Sequence, residues 1–432
     1  MYDHKGARPT PAITLEHCRL TETVAPVTPH GCTIVAGNYF AHARVVAGTF
    51  LDHHPDGRFT VLVLDGRPPA AAGDRFDVLE PDDIFDSREF ARMATMYTVI
   101  ELATAVKPTF LRHLIDDGSP SVLYLDPDIE VFASLADVSQ LAAEHGIVLT
   151  PHLIQPTSRW DGLVPTEDIV LAAGAYNLGF IGVGAGARGF LDWWIDCLAR
   201  ECIIDVASCR FVDQRWIDLV PGYFGAYVLR DPGLNVAWWN LPARAISNGD
   251  DGYRVNGSIL RFMHYSGYDP GRPHVLSKHQ GPAQRVLLDQ RPDLTGLYGR
   301  YSKLLVDAGF AELSRRAYGY ETLPSGATLD RQMREVYRDA LIRWEREGTG
   351  LEPPCPFVPG EEATFAQWIQ ASIVREARRS RTREYAKRIL GERAYSALGR
   401  SRRRLTGLRR KSPHATVASL PVGDGSETRN KP

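Results

Sequence analysis

The sequence lacks the long apolar runs and the cysteine patterns that mark several protein classes. No apolar run approaches the roughly 20 residues that cross a bilayer, so we predict no transmembrane helix. The six cysteines have neither metal-ligand nor disulfide-framework spacing, which indicates reduced thiols and a cytosolic compartment. Residues 1–30 show no charged-then-apolar signal pattern, so no export is expected. No repeat of solenoid period is evident.

The chain has little net charge, with a formal value of −2, but its charges are unevenly distributed. Residues 375–411 contain fifteen arginines or lysines and three glutamates, a net of +12, and the remainder is therefore acidic. A nucleic-acid-binding protein would more often be basic throughout. The segment 375–411 is interpreted as a solvated helix or as a contact with an anionic membrane. Nucleic-acid binding is disfavoured because few aromatic residues interleave with the arginines, and we expect no such partner.

What the sequence does contain is a regular alternation of apolar patterns. Hydrophobic residues make up 44% of the chain and charged residues 24%, as in a globular protein with a sizeable core. The run 32–36 predicts a buried strand, and apolar residues at helical spacing over 43–51 predict a helix. The run 59–64 predicts the next strand. Strand, helix and strand within about 35 residues indicate a parallel βαβ unit.

The alternation continues through the first two thirds of the chain. Further strands are predicted at 122–125, 147–149 and 176–183, and helices at about 87–106, 108–116 and 190–200. Strands of near-continuous apolar character require helices on both faces of the sheet. We therefore predict an α/β fold with a mostly parallel, twisted sheet and a C-terminal helical region. The predicted boundaries are an irregular lead-in at 1–29, the α/β domain at 30–290, a helical region at 291–411 that ends in the arginine-rich segment, and a disordered tail at 412–432.

Two carboxylates close together follow the predicted strand 122–125. In the sequence SVLYLDPDIEVF, Asp126 and Asp128 are two residues apart and can point the same way beyond the carboxyl edge of the sheet, where open α/β sheets bind ligands. Pro127 restricts the backbone of the pair. Close carboxylates repel unless a cation lies between them, and Mg²⁺ or Mn²⁺ prefers oxygen ligands together with substrate phosphates. Two solvated turn aspartates are the simpler alternative.

These residues carry a resemblance to a known family. The stretch Tyr124–Asp128 resembles the Asp-x-Asp motif of GT-A glycosyltransferases, in the form typical of glycosyltransferase family 8 and its bacterial relatives. Other segments are similar to that family's in the same order, over roughly residues 30–285. They are the opening strand, loop and first helix at 33–51, the Phe-Asn-x-Gly segment at 176–180, the Asp-Gln motif at 212–214 and the late His-x-x-Gly motif at 264–267.

The resemblance implies a GT-A fold and a metal-dependent glycosyltransferase. Its expected reaction moves a hexose from a nucleotide-diphosphate sugar, expected to be UDP-linked, to a glycan or lipid-linked saccharide of cell-surface polysaccharide synthesis, with retention of configuration. Mn²⁺ or Mg²⁺ would be held by Asp126, Asp128 and His264. The expected location is the cytoplasm, with contact at the inner face of the membrane through 375–411 as one option.

The resemblance also implies roles for individual residues. Gln214 is a poor nucleophile, so we expect it to act electrostatically, together with Asp213, at the anomeric centre. The expected donor-binding residues are Asn38, Tyr39, Lys107, Asn177, Gly179, Gly267 and Arg272. A surface lysine is the simpler account of Lys107, and an ordinary loop is the simpler account of Asn38 and Tyr39. The family often has a lysine three positions after the late glycine, where this chain has Pro270. Arg272 or Lys278 would then take that role at the diphosphate.

Simpler accounts and other functions stay open at this point. His264 could be a hydrogen-bonded core histidine, and Trp160, Trp238 and Trp239 could pack in the core or stack on a sugar. A sugar-nucleotide pyrophosphorylase shares the sheet and the need for metal, but it usually opens with a glycine-rich, basic loop, which 36–39 is not. A catalytically inactive carbohydrate-binding relative is the other alternative. The intact set Asp126, Asp128, Gln214 and His264 argues against it.

Overall fold

The computed structural model describes residues 27–71, 73–157, 161–250, 252–348 and 351–378. The described residues fall into two compact units, divided between Ala366 and Gln367. In the second unit, the described residues 367–378 are helical. The predictions for residues 1–26, for Trp160 and for 379–432 lie outside the described residues. Within the described ranges, no helix combines the length and the apolar character that a membrane crossing needs.

The strands follow the apolar runs of the sequence. In chain order they are β1 (His30–Val35), β2 (Arg58–Val63), β3 (Asp77–Leu79), β4 (Ser121–Leu125), β5 (Ile129–Val131), β6 (Ile147–Pro151), β7 (Tyr176–Gly184), β8 (Ile204–Asp205), β9 (Arg210–Phe211), β10 (Tyr227–Val228), β11 (Ile246–Gly249), β12 (Gly252–Val255), β13 (Ser258–Ile259) and β14 (Phe262–His264). The predicted long strands are all present. Most strands of two to four residues escaped prediction, because so few residues show no period.

The helices of the described residues alternate with the long strands and then dominate the chain after β14. In chain order they are α1 (Phe40–His53), α2 (Ser87–Met96), α3 (Val99–Ala105), α4 (Lys107–Asp116), α5 (Ala136–His145), α6 (Glu167–Ala173), α7 (Arg188–Glu201), α8 (Val220–Tyr223), α9 (Pro292–Asp307), α10 (Phe310–Leu313), α11 (Arg331–Glu347) and the helical residues 367–378 noted above. The region predicted to be helical over 87–106 is divided between α2 and α3. Tyr97 is extended, and Thr98 begins a new helix with a capping box to Glu101.

One large sheet organises the first unit, with strand order β10-β6-β7-β4-β1-β2-β3. Strand β7 runs antiparallel to both of its neighbours, β6 and β4, and the other neighbouring pairs are parallel. The prediction of an α/β fold with a mostly parallel sheet is confirmed. The reversal at β7 was not foreseen, because a buried strand has the same apolar run in either direction.

Helices cover both faces of this sheet, as predicted. Leu123 and Leu125 of β4 share a buried cluster with α1 and α5. Tyr124, which points to the opposite face, lies against Lys107 at the start of α4, with the lysine nitrogen 4.2 Å from the ring centre. Full burial of a side chain such as Leu123 stabilises the fold by roughly 1.5–3 kcal/mol. The sheet therefore holds the β4 carboxyl end between two packed layers.

A second buried cluster lies around β14 and α9. Tyr265, directly after β14, stacks on Tyr301 of α9 with ring centres 3.8 Å apart and nearly parallel planes. Its hydroxyl donates to the fully buried Glu130 of β5, at 3.0 Å. The apolar face of α9 is buried against this cluster through Leu294, Leu297, Tyr298, Tyr301 and Leu305. Helix α9 thus fixes the residue that follows the end of β14.

We expect Gly184→Ala to destabilise the first unit, because the close approach of β7 to α5 leaves no space for a side chain. A Cβ at Gly184 would lie 2.2 Å from the carbonyl oxygen of Ala142. Forcing such a contact typically costs about 1–3 kcal/mol. Gly186→Ala is the matched control, since a Cβ there meets nothing within 4 Å. Urea unfolding of both variants measures the effect, and equal midpoints would contradict this account of the packing.

Candidate active site

The site is built where a short antiparallel pair of strands closes over the carboxyl end of β4. Strand β14 pairs with β5, with His264 opposite Ile129. The next residue, Tyr265, donates its backbone N–H to the carbonyl of Asp128, at 2.8 Å. This pairing places a histidine from late in the chain beside the two aspartates that follow β4.

Asp126, Asp128 and His264 offer one ligand atom each, and these atoms lie within 4.8 Å of one another. The Nε2 atom of His264 is 3.0 Å from an Asp128 oxygen and 3.8 Å from an Asp126 oxygen. His264 is 3% exposed, whereas the two carboxylates are partly exposed. The structure therefore brings together the three residues that the sequence pointed to as metal ligands. Two carboxylates and a neutral imidazole suit Mn²⁺ or Mg²⁺.

The pKa shifts within this group arise because Asp126 and Asp128 share one positively charged partner, His264. Burial is the largest influence on Asp126 and raises its pKa, despite the positive charges of Lys107 and His264. Burial opposes ionisation of Asp128 too, but the charge and hydrogen bond of His264 outweigh it and lower the pKa. For His264 itself, burial would lower the pKa, and Asp128 and Asp126 together raise it. A divalent cation would relieve the same repulsion.

Asn235 orients the histidine from behind. Its Oδ1 lies 3.3 Å from His264 Nδ1, and its Nδ2 donates to Thr150 and to Asn177, each at 3.0 Å. With Nδ1 directed at this amide oxygen, Nε2 is left for a metal, the usual arrangement of a metal-binding histidine. The backbone of Asn235 is left-handed, with φ 50°, a conformation that asparagine tolerates better than most residues.

Gly179 lies directly beneath the imidazole. A Cβ at this position would be 2.3 Å from His264 Cε1 and 2.7 Å from its Nδ1. The carbonyl of Gly179 also accepts the backbone N–H of Asp126, at 2.7 Å. The resemblance gives this glycine a donor-binding role. Its geometry adds a second one, because it leaves room for the histidine and anchors the first aspartate.

Lys107 and Asp213 form a buried ion pair behind the aspartates. The lysine Nζ donates to Asp213 Oδ2 at 2.6 Å and to the Leu178 carbonyl at 2.9 Å, and the two side chains are 1% and 2% exposed. Burial raises the pKa of Asp213, and the positive charge of Lys107 opposes this rise without cancelling it. The neighbouring Tyr124 donates its hydroxyl to Asp126, at 2.9 Å. The lysine expected at the donor is thus engaged in holding α4, β7 and the Asp213 segment together.

Gln214 and Asn177 form a hydrogen-bonded pair next to that ion pair. The Gln214 carbonyl oxygen accepts from the Leu178 backbone at 3.0 Å and from Asn177 Nδ2 at 3.3 Å, and its amide donates to the Ala173 carbonyl. The Asn177 oxygen accepts from the backbone of Gly179, at 3.1 Å. A continuous chain of amides therefore runs from Gln214 to the Asn235 that orients His264.

A cavity of about 300 Å³ opens beside this chain of amides. The Trp239 ring forms one wall and meets His264 edge-on, with ring centres 5.2 Å apart. The indole N–H groups of Trp238 and Trp239 are buried and have no hydrogen-bond partner among the described residues. Aromatic faces with free polar groups suit a sugar ring. The polar and aromatic lining residues are His152, Asn177, Phe211, Gln214, Trp238, Trp239, Ser266 and His279.

Asn38 and Tyr39 lie in a 3₁₀ turn, Gly37–Tyr39, that follows β1 at the same edge of the sheet. Tyr39 is 41% exposed and stacks on His42 with ring centres 4.5 Å apart. Its pKa is raised first by burial and then by Asp128 and Asp269, which places its hydroxyl in the field of the carboxylates. The Asn38 Oδ1 is buried and lacks a hydrogen-bond partner in the described part of the chain. This turn offers an exposed aromatic ring near the aspartates.

The segment from Gly267 to His279, which begins in the late His-x-x-Gly motif, folds back on itself. Gly267 has φ 74°, and a Cβ there would lie 2.4 Å from the His279 ring, so His279 packs on the bare glycine backbone. Arg272 is exposed and pairs with Asp269, at 3.2 Å. Lys278 is also exposed, and its backbone N–H donates to the Gly267 carbonyl. Of the basic residues in this segment, His279 is the one that lines the cavity.

Sequence reasoning missed several residues that complete the site. Asn235 orients His264, and His152 and His279 line the cavity. His42, beneath Tyr39, is buried, and burial lowers its pKa to about 4. None of these stands in a motif with fixed spacing. One local signal points to position 235: it holds an asparagine, a residue that tolerates a left-handed backbone.

Comparisons with known proteins add a distant likeness. No family model and no curated protein sequence matches the chain. The galactosyltransferase LgtC in complex with donor and acceptor sugar analogs is 16% identical, with a TM-score of 0.38 over 64% of this chain and 95% of that one. An active-site mutant of LgtC is 17% identical, with the same coverage and TM-score. The apo structure of the bifunctional glycosyltransferase WbbM is 12% identical, with a TM-score of 0.32 over 51% of this chain and 41% of that one.

We expect Lys107→Met and Asp213→Asn to be strongly non-additive in stability. Lys107→Met leaves a buried carboxylate without its partner, a change that typically costs about 3–5 kcal/mol. The double variant removes both charges and should lose less than the sum of the single variants. Denaturant unfolding of the four proteins measures the coupling, and additive losses would show that the pair is not a unit. Arg112→Met, at an exposed ion pair with Asp116, is the control.

Proposed function

We propose that this chain is a metal-dependent glycosyltransferase that uses a nucleotide-diphosphate sugar. The observation that carries the proposal is the convergence of Asp126, Asp128 and His264 at the carboxyl edge of the sheet, beside a cavity walled by tryptophan and amide side chains. Open α/β sheets bind ligands at this edge. Carboxylates at this edge can bind a divalent cation together with the phosphates of the donor. The aromatic walls of the cavity can pack against a sugar ring.

The three ligands fit Mn²⁺ or Mg²⁺, and Asn235 orients His264 for that purpose. Bound there, a divalent cation supplies charge neutralisation for the departing diphosphate. The chain's own contribution is to hold its ligands in place before the substrate arrives. Tyr124 fixes Asp126 by a hydrogen bond, and the β5–β14 pairing fixes Asp128.

The donor is proposed to be UDP-linked and to carry a hexose. Tyr39 is proposed to stack on the base and Asn38 to hydrogen-bond it, and the Asn38 oxygen, which has no partner among the described residues, supports this role. Asn177, which lines the cavity, and Gly179, which lies against Asn177 and His264, are proposed to border the sugar. Gly267, Arg272 and Lys107 remain proposed donor residues, the last acting through the Asp213 pair that it forms.

The proposed chemistry keeps the donor's anomeric configuration. Gln214 lines the cavity, and both the oxygen and the nitrogen of its amide are hydrogen-bonded. Its dipole is therefore fixed in orientation relative to the positive charge that develops at the anomeric carbon. Asp213 stands next to it as a buried carboxylate. The leaving phosphate oxygen takes the acceptor hydroxyl's proton on the same face of the sugar.

The stereochemical proposal predicts retention. A UDP-α-hexose should give an α-linked product, since the acceptor attacks from the face that the diphosphate leaves. The coupling constant of the anomeric proton in the ¹H NMR spectrum of the product reports this directly. A β-linked product would rule out the same-face reaction while leaving donor use intact.

We expect UDP and one UDP-hexose to raise the thermal unfolding midpoint by several degrees in Mn²⁺ at about 100 times Kd, and much less in EDTA. The panel contains UDP-, GDP- and CDP-sugars, each with and without metal. Asp126→Asn and Asp128→Asn should abolish the metal-dependent part, because each removes an anionic ligand. Asp116→Asn, an exposed aspartate of α4, is the matched control.

Outcomes of that panel separate the proposed function from its alternatives. A donor shift that is the same in EDTA, or that survives in both aspartate variants, would contradict the proposal. Stabilisation by a nucleoside triphosphate with a sugar 1-phosphate would indicate a pyrophosphorylase instead. Donor binding with neither hydrolysis nor transfer to any glycan would indicate an inactive relative.

The acceptor is proposed to be a glycan or a lipid-linked saccharide in the cytoplasm. Cysteines 32, 197, 202, 209 and 355 are all free thiols, which agrees with a reducing compartment. Membrane contact through 375–411 stays a proposal, since the described part of that segment is residues 375–378.

A further inference from the structure

Helix α6 has an apolar sequence that it does not bury. Five of its seven residues, 169–173, are apolar, yet none of the seven is buried. Helix α3, which is also seven residues long, buries Leu102 and Ala105. Single exposed apolar residues are ordinary on a protein surface, but most of the stability of a helix in a protein comes from packing an apolar face. The apolar side chains of α6 are therefore accessible to a ligand.

Helix α6 forms one wall of the candidate active-site cavity. Ile169, Val170 and Ala173 line this cavity, together with Pro165, which precedes the helix. Ile169 is also 41% exposed, so it lies where the cavity meets the surface. Leu171, on the same helix, is 64% exposed. The cavity thus has an aliphatic wall that continues onto the surface of the protein.

The aliphatic wall adjoins Gln214, the residue proposed to face the anomeric carbon. The side-chain nitrogen of Gln214 donates to the Ala173 carbonyl, at 3.0 Å. A Cβ on Gly174, the residue after α6, would lie 3.3 Å from the backbone carbonyl oxygen of Gln214. The C-terminal end of α6 is therefore fixed against the Gln214 segment. A group that packs on the aliphatic wall lies close to the sugar that reacts.

The two sides of the cavity differ in chemistry. Amide, imidazole and tryptophan side chains on one side offer hydrogen bonds and flat rings, which suit a sugar. The side chains of Ile169, Val170 and Ala173 offer no hydrogen-bonding group. Sugar hydroxyls placed against them would lose water without gaining a partner, which is unfavourable, whereas an apolar group would gain from burial. The wall of α6 therefore favours an apolar group over a further sugar.

We propose that the acceptor sugar itself carries an apolar group, such as an alkyl, prenyl or aryl group, and that this group binds along α6. The acceptor is then an amphiphile whose apolar part begins next to the reacting sugar, and not an inner or terminal sugar of a long hydrophilic glycan. The word acceptor rests on the proposed function, whereas binding of an apolar glycoside by the cavity does not.

The test compares glycosides that differ only in the length of their apolar group. Isothermal titration calorimetry of the full chain uses the octyl and methyl glycosides of glucose and galactose, with octyl glycosides kept below micelle formation. Each is titrated in EDTA and in UDP with Mn²⁺. We expect at least one octyl glycoside to bind about tenfold more tightly than its methyl counterpart, because burial of two methylene groups already gives that factor.

Ile169→Ser should reduce this octyl-to-methyl ratio by at least about threefold, because it removes aliphatic surface from the wall. Binding of the methyl glycoside should not change. Ile100→Ser is the matched control, since Ile100 is an exposed isoleucine on the equally short helix α3 and does not line the cavity. Both variants should keep the thermal unfolding midpoint nearly unchanged, as exposed substitutions usually do. If Ile169→Ser does not fold, Ile169→Ala gives the same comparison with better helix propensity.

Several outcomes would overturn the proposal. Equal affinities for octyl and methyl glycosides, or an octyl preference that survives Ile169→Ser, would show that α6 does not bind the apolar group. Co-sedimentation with phosphatidylcholine vesicles that Ile169→Ser abolishes would assign this face to a membrane surface instead. Self-association in analytical ultracentrifugation that the same variant abolishes would assign it to a second copy of the chain.

The same proteins distinguish this inference from the proposed function. UDP with Mn²⁺ should stabilise Ile169→Ser as much as the unaltered chain, because Ile169 is neither a candidate metal ligand nor a proposed donor residue. If UDP fails to bind but the octyl preference depends on Ile169, the glycosyltransferase proposal fails and the apolar subsite stands. If UDP binds and the octyl preference is absent, the subsite fails and the proposed function stands.

Discussion

The antiparallel pairing of β5 with β14 is the contact on which the candidate site depends. It sets His264 against Ile129, and thereby beside the aspartate that precedes Ile129. The pairing is only three residues long, so its own hydrogen bonds contribute little. Its position is secured by Glu130, which is fully buried and bonded to Tyr265 and Arg300, and by the stacking of Tyr265 on helix α9. The candidate metal ligands are thus held by packing from outside the large sheet.

A buried polar network supplies the rest of the rigidity. Gln214, Asn177, Asn235 and His264 are linked in sequence by side-chain hydrogen bonds. Buried amides polarise one another. Breaking one of these hydrogen bonds would leave polar atoms without partners in an apolar interior. The Lys107–Asp213 pair lies behind this network and ties it to helix α4. Because these contacts hold the site in place without a substrate, the site is preorganised. Such a site favours the binding of charged ligands.

The sequence was informative wherever the signal was local. Apolar runs located the long strands, proline at position 108 located the start of α4, and Asp126 and Asp128 stood out because they directly follow a buried strand. It could not show that β7 runs antiparallel, since direction leaves no mark on a run buried on both faces. Nor could it pair Lys107 with Asp213 or place Asn235 behind His264, because those contacts join residues far apart in the chain. The break at Tyr97 was missed for a different reason, as the apolar spacing continues through it.

Helix α9 has a consequence for how the chain can be divided. Its buried leucines and tyrosines complete the cluster that holds Tyr265, and Tyr265 is the neighbour of the candidate ligand His264. A fragment that ended after β14 would expose this aromatic surface to water. Tyr265 would then lose the packing that holds it next to His264. The smallest autonomous fragment with an intact centre therefore has to include α9, although no residue of α9 belongs to the Asp-Asp-His group itself.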